Sequence, residues 1–308
     1  KDFTLTQEIS ESFKQENYGI QSYAFLKYIQ ENLPGRIAGT EKEKEMASFI
    51  SAILLNGGYS EKDIKLNSFD IEEGVPMMDT SGENIFDGGE DSQSSQNIEV
   101  IKEGQSKKTI IVGAHYDSAG THGVDDNGSG VAVALESALR MIDVETPYTI
   151  KYVFFGAEEK GLLGSRAYVK AHESELSHHL FNMNIDLAGQ ALGGTVIGVT
   201  GDSSICHQFE ALAEKCGIGM TTRSSVWSSD SNTFAWKRIP SMTLNRDGYG
   251  MHTEYDTIDL ISAWSLRRSA LLLCTIADYL ANEEVFPLCQ QIPQEFLAQL
   301  DASFSTEK

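Results

Sequence analysis

From residue 97 onward the chain alternates short apolar runs with segments of helical periodicity, and this alternation limits its fold more than any other feature. Strand patterns fall at 97–102 (NIEVIK), 108–117 (KTIIVGAHYD), 148–157 (YTIKYVFFGA), 180–188, 194–200 and 239–245. Helical patterns fall between them at 127–141, 162–172 and 203–216, and a long amphipathic helix over 262–280 closes the series. Strands that are apolar along most of their length and separated by helices predict an α/β fold, with a mixed, largely parallel sheet covered by helices on both faces. The apolar stripe of the last helix, including Trp264, Leu271 and Leu272, reads as core.

The N-terminal part, to about residue 58, reads as helical. Thr40 and Glu43 spell a capping box, Met46, Phe49, Ile50, Ile53 and Leu54 follow at helical spacing, and Gly57-Gly58 supplies a stop. A strand over 63–71 comes next. Residues 74–96 are acidic, rich in Gly and Ser, and without periodicity, which predicts a long loop joining two strands, a lid over a site being the sharper alternative. No repeat or linker divides the 308 residues, so a single domain is expected.

Charge narrows the partners. With 24 basic and 45 acidic side chains the formal charge is −21. Neither nucleic acid nor an anionic membrane is expected as a partner, since both select clustered Lys and Arg. No apolar run reaches the roughly 18–20 residues of a membrane span. The four cysteines lack paired spacing. Cys206 and Cys216 bracket one helix about 15 Å apart along its axis, too far for a disulfide within it, so all four are expected as free thiols and Cys274 as a buried apolar residue. The chain begins with Lys and no signal-peptide core follows, which fits a processed product. Compartment stays open between secretion and a reducing interior.

Open parallel sheets place their sites at the carboxyl ends of strands. Here those ends carry one kind of residue. His115 and Asp117 follow one strand, then Asp125-Asp126-Asn127 across a glycine-rich turn. Glu158-Glu159 follow the next strand, Asp186 another, and His252 and Asp256 lie after the last. Each alone has a plain explanation: an exposed acidic pair, a helix N-cap, a hydrogen-bonded histidine. Four strand ends that each deliver a carboxylate or imidazole are better explained by a metal centre. The donor set is too rich in oxygen for a thiolate site, and it suits two divalent ions sharing a carboxylate, with a water between them. The remaining histidines, 122, 172, 178, 179 and 207, show no partner pattern and read as surface or capping residues. Asn127-Gly128-Ser129 is formally a glycosylation sequon, but inside this loop it reads as structural.

HYDSAGTHGVDDNGSG (115–130), GAEEKGLLGS (156–165), NIDLAG (184–189) and MHTEYDT (251–257), in that order, resemble the motifs of the M28 family of zinc aminopeptidases, and RIAGTEKEKEMASFI (36–50) is similar to the family's helix opening. The resemblance implies a three-layer sandwich and a co-catalytic pair of Zn2+ ions. It implies His115 and Asp186 on one ion, Glu159 and His252 on the other, and Asp126 bridging both. It further implies Glu158 as general base toward a bridging water or hydroxide. Asp117 would orient His115, and Asp256 would support the His252 loop. The substrates implied are peptides with a free N-terminus. A glutaminyl-peptide cyclotransferase and a carboxypeptidase of the same fold are the alternatives, the latter needing an arginine such as Arg246 or Arg223 for a C-terminal carboxylate. Where many members have S-D-H this chain has Ser229-Asp230-Ser231, and Met251 stands where some place a tyrosine. Tyr249 is the nearby candidate donor to a tetrahedral intermediate.

Overall fold

The computed structural model describes residues 18–71, 85–86 and 93–305. Eight strands form one mixed sheet in the order β1-β2-β4-β3-β5-β8-β6-β7. They are β1 (Ile64–Asp70), β2 (Ser94–Lys102), β3 (Ser106–His115), β4 (Tyr148–Phe155), β5 (His179–Ile185), β6 (Thr195–Thr200), β7 (Met220–Ser224) and β8 (Ser241–Asn245). The central strands β4, β3, β5 and β8 run parallel, so their carboxyl ends share one edge. β2 joins β4 antiparallel, β6 joins β8 antiparallel, and β1 and β7 form the two edges. The α/β expectation is met.

Alternation along the strands sorts the core into two layers. Ile110, Val112 and Ala114 of β3 and Ile150, Tyr152 and Phe154 of β4 face one side. There they meet helices α1 (Ile20–Asn32), α2 (Glu41–Asn56), α3 (Gly130–Met141), α5 (Ser204–Lys215) and α7 (Ala263–Asn282). Ile111, Val153 and Phe155 face the other side, against Tyr168 and Val169 of α4 (Leu163–Ala171) and Phe234 of α6 (Ser231–Trp236). A last helix, α8 (Gln294–Ser305), lays Leu300 and Phe304 against Leu162 and Ala235. None of the described helices is long and apolar enough to cross a membrane.

Several expectations change. Edge strand β7 and helices α6 and α8 form where no element was expected. Trp264 is 64% exposed while Leu272 is fully buried, because the buried face of α7 runs through Ser265, Leu266, Ser269 and Leu272 and Trp264 lies off it. His172 caps the end of α4 and His179 caps the short 3-10 turn that follows, as the capping reading expects, and both rings also find partners inside the protein. Glu99 of β2 lies 3.1 Å from His172 Nε2 and 3.0 Å from Lys151 Nζ, and His179 Nε2 meets the Tyr168 hydroxyl at 3.1 Å. Glu99 and Lys151 come from strands distant from His172 in sequence, which local pattern does not reveal. Cys274 is buried and all four cysteines are free. Most of the acidic 74–96 stretch lies outside the described residues, as do residues 1–17, and the lid reading falls there. Ile85 and Phe86 both donate their amides to the Gly120 carbonyl, and β2 starts three residues before the expected strand, at Ser94.

Candidate metal centre

Each ligand-type side chain leaves the sheet at a parallel strand end. His115 is the last residue of β3, Asp186 follows β5 directly, Glu158-Glu159 lie three residues past β4, and His252 sits in the loop after β8. Three of these exits turn through left-handed backbone at residues bearing a β-carbon: Ala157 (φ 53), Leu187 (φ 61) and His252 (φ 58). Each costs on the order of 1–2 kcal/mol, and such positions persist where surrounding structure fixes them.

The side chains converge around Asp126. Its Oδ1 lies 3.2 Å from His115 Nε2 and its Oδ2 lies 3.0 Å from His252 Nε2. Glu159 Oε2 is 3.2 Å from His252 Nε2, and Asp186 Oδ1 is 3.7 Å from His115 Nε2. Glu158 Oε2 stands 4.0 Å from the same imidazole nitrogen. Ligand-type atoms of His115, Asp126 and Glu159 lie within 4.8 Å of one another, as do those of His115, Glu158 and Asp186. Proximity alone therefore does not separate Glu158 from the ligating group.

Asp117 is fully buried behind this cluster. One of its oxygens is 3.3 Å from His115 Nδ1, and its two oxygens accept the Glu158 and Glu159 amides at 3.1 Å each. Asp256 was expected to support the His252 loop. Its carboxylate accepts the backbone amides of Asp125 (2.7 Å) and Asp126 (3.2 Å), which anchors the loop carrying His252 on the residue between the histidines.

Electrostatically the cluster calls for cations. Burial disfavours a charged His115, but the nearby Glu158 charge and contacts with Asp117, Asp126 and Asp186 outweigh it and raise its pKa well above the ordinary value. Contacts with Asp126 and Glu159 raise His252 to about 11. Asp126 is held below the usual carboxylate range despite burial, by its contacts with both imidazoles. Burial pushes Glu158 well up and Glu159 to about 7, the latter helped by the Asp126 charge. Glu159 Oε1 is buried without a hydrogen-bond partner. Carboxylates that raise the pKa of both imidazoles in this way create a negative site that suits bound cations. Nitrogen and oxygen donors at these spacings fit a divalent zinc-type ion, which either group, His115–Asp126–Glu159 or His115–Glu158–Asp186, could hold.

The residues that brace this arrangement were harder to read from sequence. Arg36 is fully buried and donates to the carbonyls of Leu33 (3.1 Å), Tyr116 (2.8 Å), His122 (3.0 Å) and Gly123 (2.7 Å), which fixes the start and end of the loop between His115 and Asp126. Ser229 donates to Asp186 Oδ2 at 2.7 Å and accepts from Asn184. Asn127 Nδ2 donates to the Ile185 carbonyl at 2.8 Å, so its amide is engaged inside the protein and the sequon is structural. The Thr40–Glu43 capping box forms only by half. Thr40 accepts the Glu43 amide, but the Glu43 carboxylate turns to Gly39, Ser95 and Ala157. The Arg-x-x-Gly-Thr string was the available signal for Arg36. Ser229 stood out only as part of Ser229-Asp230-Ser231, and nothing local marked its contact with Asp186. Tyr249 is 69% exposed, and Asp230 is fully buried, with burial raising its pKa to about 7.

A model of peptidase family M28 matches residues 97–277 of the chain. Aminopeptidase YwaD of Bacillus subtilis is 35% identical over 202 residues, which is 59% of this chain and 44% of that protein, so the chain spans less than half of its relative's length. The solved structure of BSAP, a zinc aminopeptidase from Bacillus subtilis, superposes with a TM-score of 0.76 at 20% identity, covering 91% of this chain and 99% of the other. A glutaminyl cyclase from an Acidobacteriales bacterium superposes at 0.73 with 18% identity, covering 86% and 95%. At those identities the two structures share the fold, and the chemistry is argued from the site.

Proposed function

The chain belongs to peptidase family M28, and from that membership we propose that it is a zinc-dependent aminopeptidase that hydrolyses the first peptide bond of peptides with a free N-terminus. The observation that carries the reading is the position of Asp126, whose two oxygens each face a different imidazole at 3.2 and 3.0 Å. A carboxylate so placed suits a bridge between two ions, one held further by His115 and Asp186, the other by Glu159 and His252. When bound, zinc supplies Lewis acidity toward a peptide carbonyl and makes water a stronger acid.

The remaining work falls to the chain's own groups. Glu158, beside the cluster yet outside the proposed ligand set, takes a proton from the attacking water and returns it to the leaving amine. Asp117 holds the His115 ring and both glutamate amides, so the base and one ligand keep a fixed relation. The crowd of carboxylates favours the positive N-terminal amine of a substrate and offers nothing comparable to an internal peptide bond.

The carboxypeptidase alternative loses one of its two candidate arginines. Arg246 is buried and donates to the Gln190 carbonyl, Thr195 Oγ1 and the Gly193 carbonyl, which leaves its guanidinium engaged inside the protein. The test pairs metal analysis with hydrolysis of aminoacyl-anilides, with and without chelator. Two zinc ions per chain and chelator-sensitive release are expected. Pyroglutamate formation from Gln-peptides without anilide hydrolysis would overturn the reading in favour of a cyclotransferase.

A further inference from the structure

Four consecutive amides cross the turn from β4 to the paired glutamates, and each donates to a buried side chain. Gly156 donates to Asn97 Oδ1 (3.2 Å), Ala157 to Glu43 Oε1 (3.2 Å), and Glu158 and Glu159 to the two oxygens of Asp117 (3.1 Å each). Glu43 differs from the other acceptors in origin, since it comes from α2, outside the stretch matched by the family. It is fully buried, and the same carboxylate also accepts the Ser95 hydroxyl (2.7 Å) and the Gly39 amide (2.8 Å). A β-carbon added at Gly156 would meet the Ser95 hydroxyl, the Gln96 carbonyl (2.6 Å) and Glu43 Oε1 (2.8 Å), so the Ser95–Glu43 pair packs directly against the turn.

We propose that Glu43 is a positioning residue for the glutamate pair: it pins the left-handed Ala157 so that Glu158 and Glu159 leave the turn toward different partners. Ala157 has φ 53, a conformation its side chain disfavours, so the turn needs an external hold at that residue. Three donors converge on the two oxygens. A carboxylate accepts all three, whereas an amide side chain must turn N–H groups toward at least one of them. The proposal rests on the assignment of Glu158 as base and Glu159 as ligand.

The test compares wild type, Glu43→Gln, Ser95→Ala and Thr40→Ala, each saturated with zinc, on leucyl-anilide, together with amide hydrogen exchange of the metal-free proteins. Thr40→Ala weakens the same helix start without touching the turn. Glu43→Gln is expected to lower kcat at least ten-fold with KM within two-fold, and to speed exchange at the Ala157 amide at least ten-fold. Ser95→Ala, which keeps the carboxylate, should move both in the same direction by less. Thr40→Ala should lower the melting temperature and leave kcat and Ala157 exchange unchanged. Glu43→Gln matching Thr40→Ala in kcat, or leaving exchange at Ala157 unaltered, would overturn the proposal. A wild type that binds zinc without releasing leucine would sink the aminopeptidase reading, and the exchange measurements would still decide the role of Glu43.

Discussion

Asp256 accepts the backbone amide of Asp126 at 3.2 Å, so the loop carrying His252 also grips the residue between the two imidazoles. Its second oxygen takes the Asp125 amide. Asp256→Asn turns an N–H group toward one of these donors. We expect zinc affinity to fall 10–100-fold, the usual range for groups that orient ligands. Competition with a fluorescent chelator reads it, and unaltered affinity would refute the role.

The adjacent glutamates should separate cleanly. Glu158→Gln is expected to keep both metals and lose about 10²–10⁴ in kcat, the range for an acid–base group. Glu159→Ala should lose metal first and activity as a consequence. Near-normal turnover by Glu158→Gln would remove the base assignment, and metal loss in that variant would place Glu158 among the ligands.

Arg36 satisfies four carbonyls from inside the protein. Arg36→Met leaves them unpaired at a fully buried position, and a loss of roughly 3–5 kcal/mol is expected, as for other broken buried networks. Arg36→Lys should recover only part, because an ammonium lacks the planar fork. Urea denaturation measures both.

Zinc should raise thermal stability, since it binds the folded cluster and relieves crowded carboxylates. At a hundred-fold excess over Kd the gain is about 2.7 kcal/mol. A melting temperature independent of zinc from nanomolar to millimolar would contradict the centre.

Two histidines on the far side of α4 should titrate with opposite effect. Burial lowers His179 to about 4, so its share of stability is intact above the ordinary value of 6.5 and is lost as pH falls toward 4, on the order of 3 kcal/mol. Burial opposes the charged form of His172, but contacts with Glu99 prevail and raise its pKa, so its share is present below 6.5 and fades as pH rises through the raised value. Solvent reaches His172, which limits that share to about 0.5–1 kcal/mol. Stability curves of His172→Gln and His179→Gln from pH 4 to 9 should diverge from wild type at opposite ends.

The parallel centre of the sheet was legible because β3, β4 and β5 are apolar through their length and end in residues that apolar runs rarely tolerate. Local periodicity carried no such information for β7, which is short and mostly exposed, or for α6, which has only six residues. It also misjudged Trp264, which lies off the face that Ser265, Leu266 and Ser269 bury. His172 and His179 do stand at cap positions, but the contact of His172 with Glu99 was not legible, because the two meet only through sheet order. At the site, residue type and strand end identified the converging groups, while Ser229 and Asp256 depend on contacts between loops about 43 and 130 residues apart.

Ala157, Leu187 and His252 hold a disfavoured twist where a glycine would sit at ease. Replacing the first two with glycine is an obvious route for anyone seeking a hardier variant. Yet the β-carbon at each position also narrows the paths the chain can take into the centre. Such a variant would gain backbone comfort and surrender aim, so selection for heat resistance and selection for turnover should pull these residues apart.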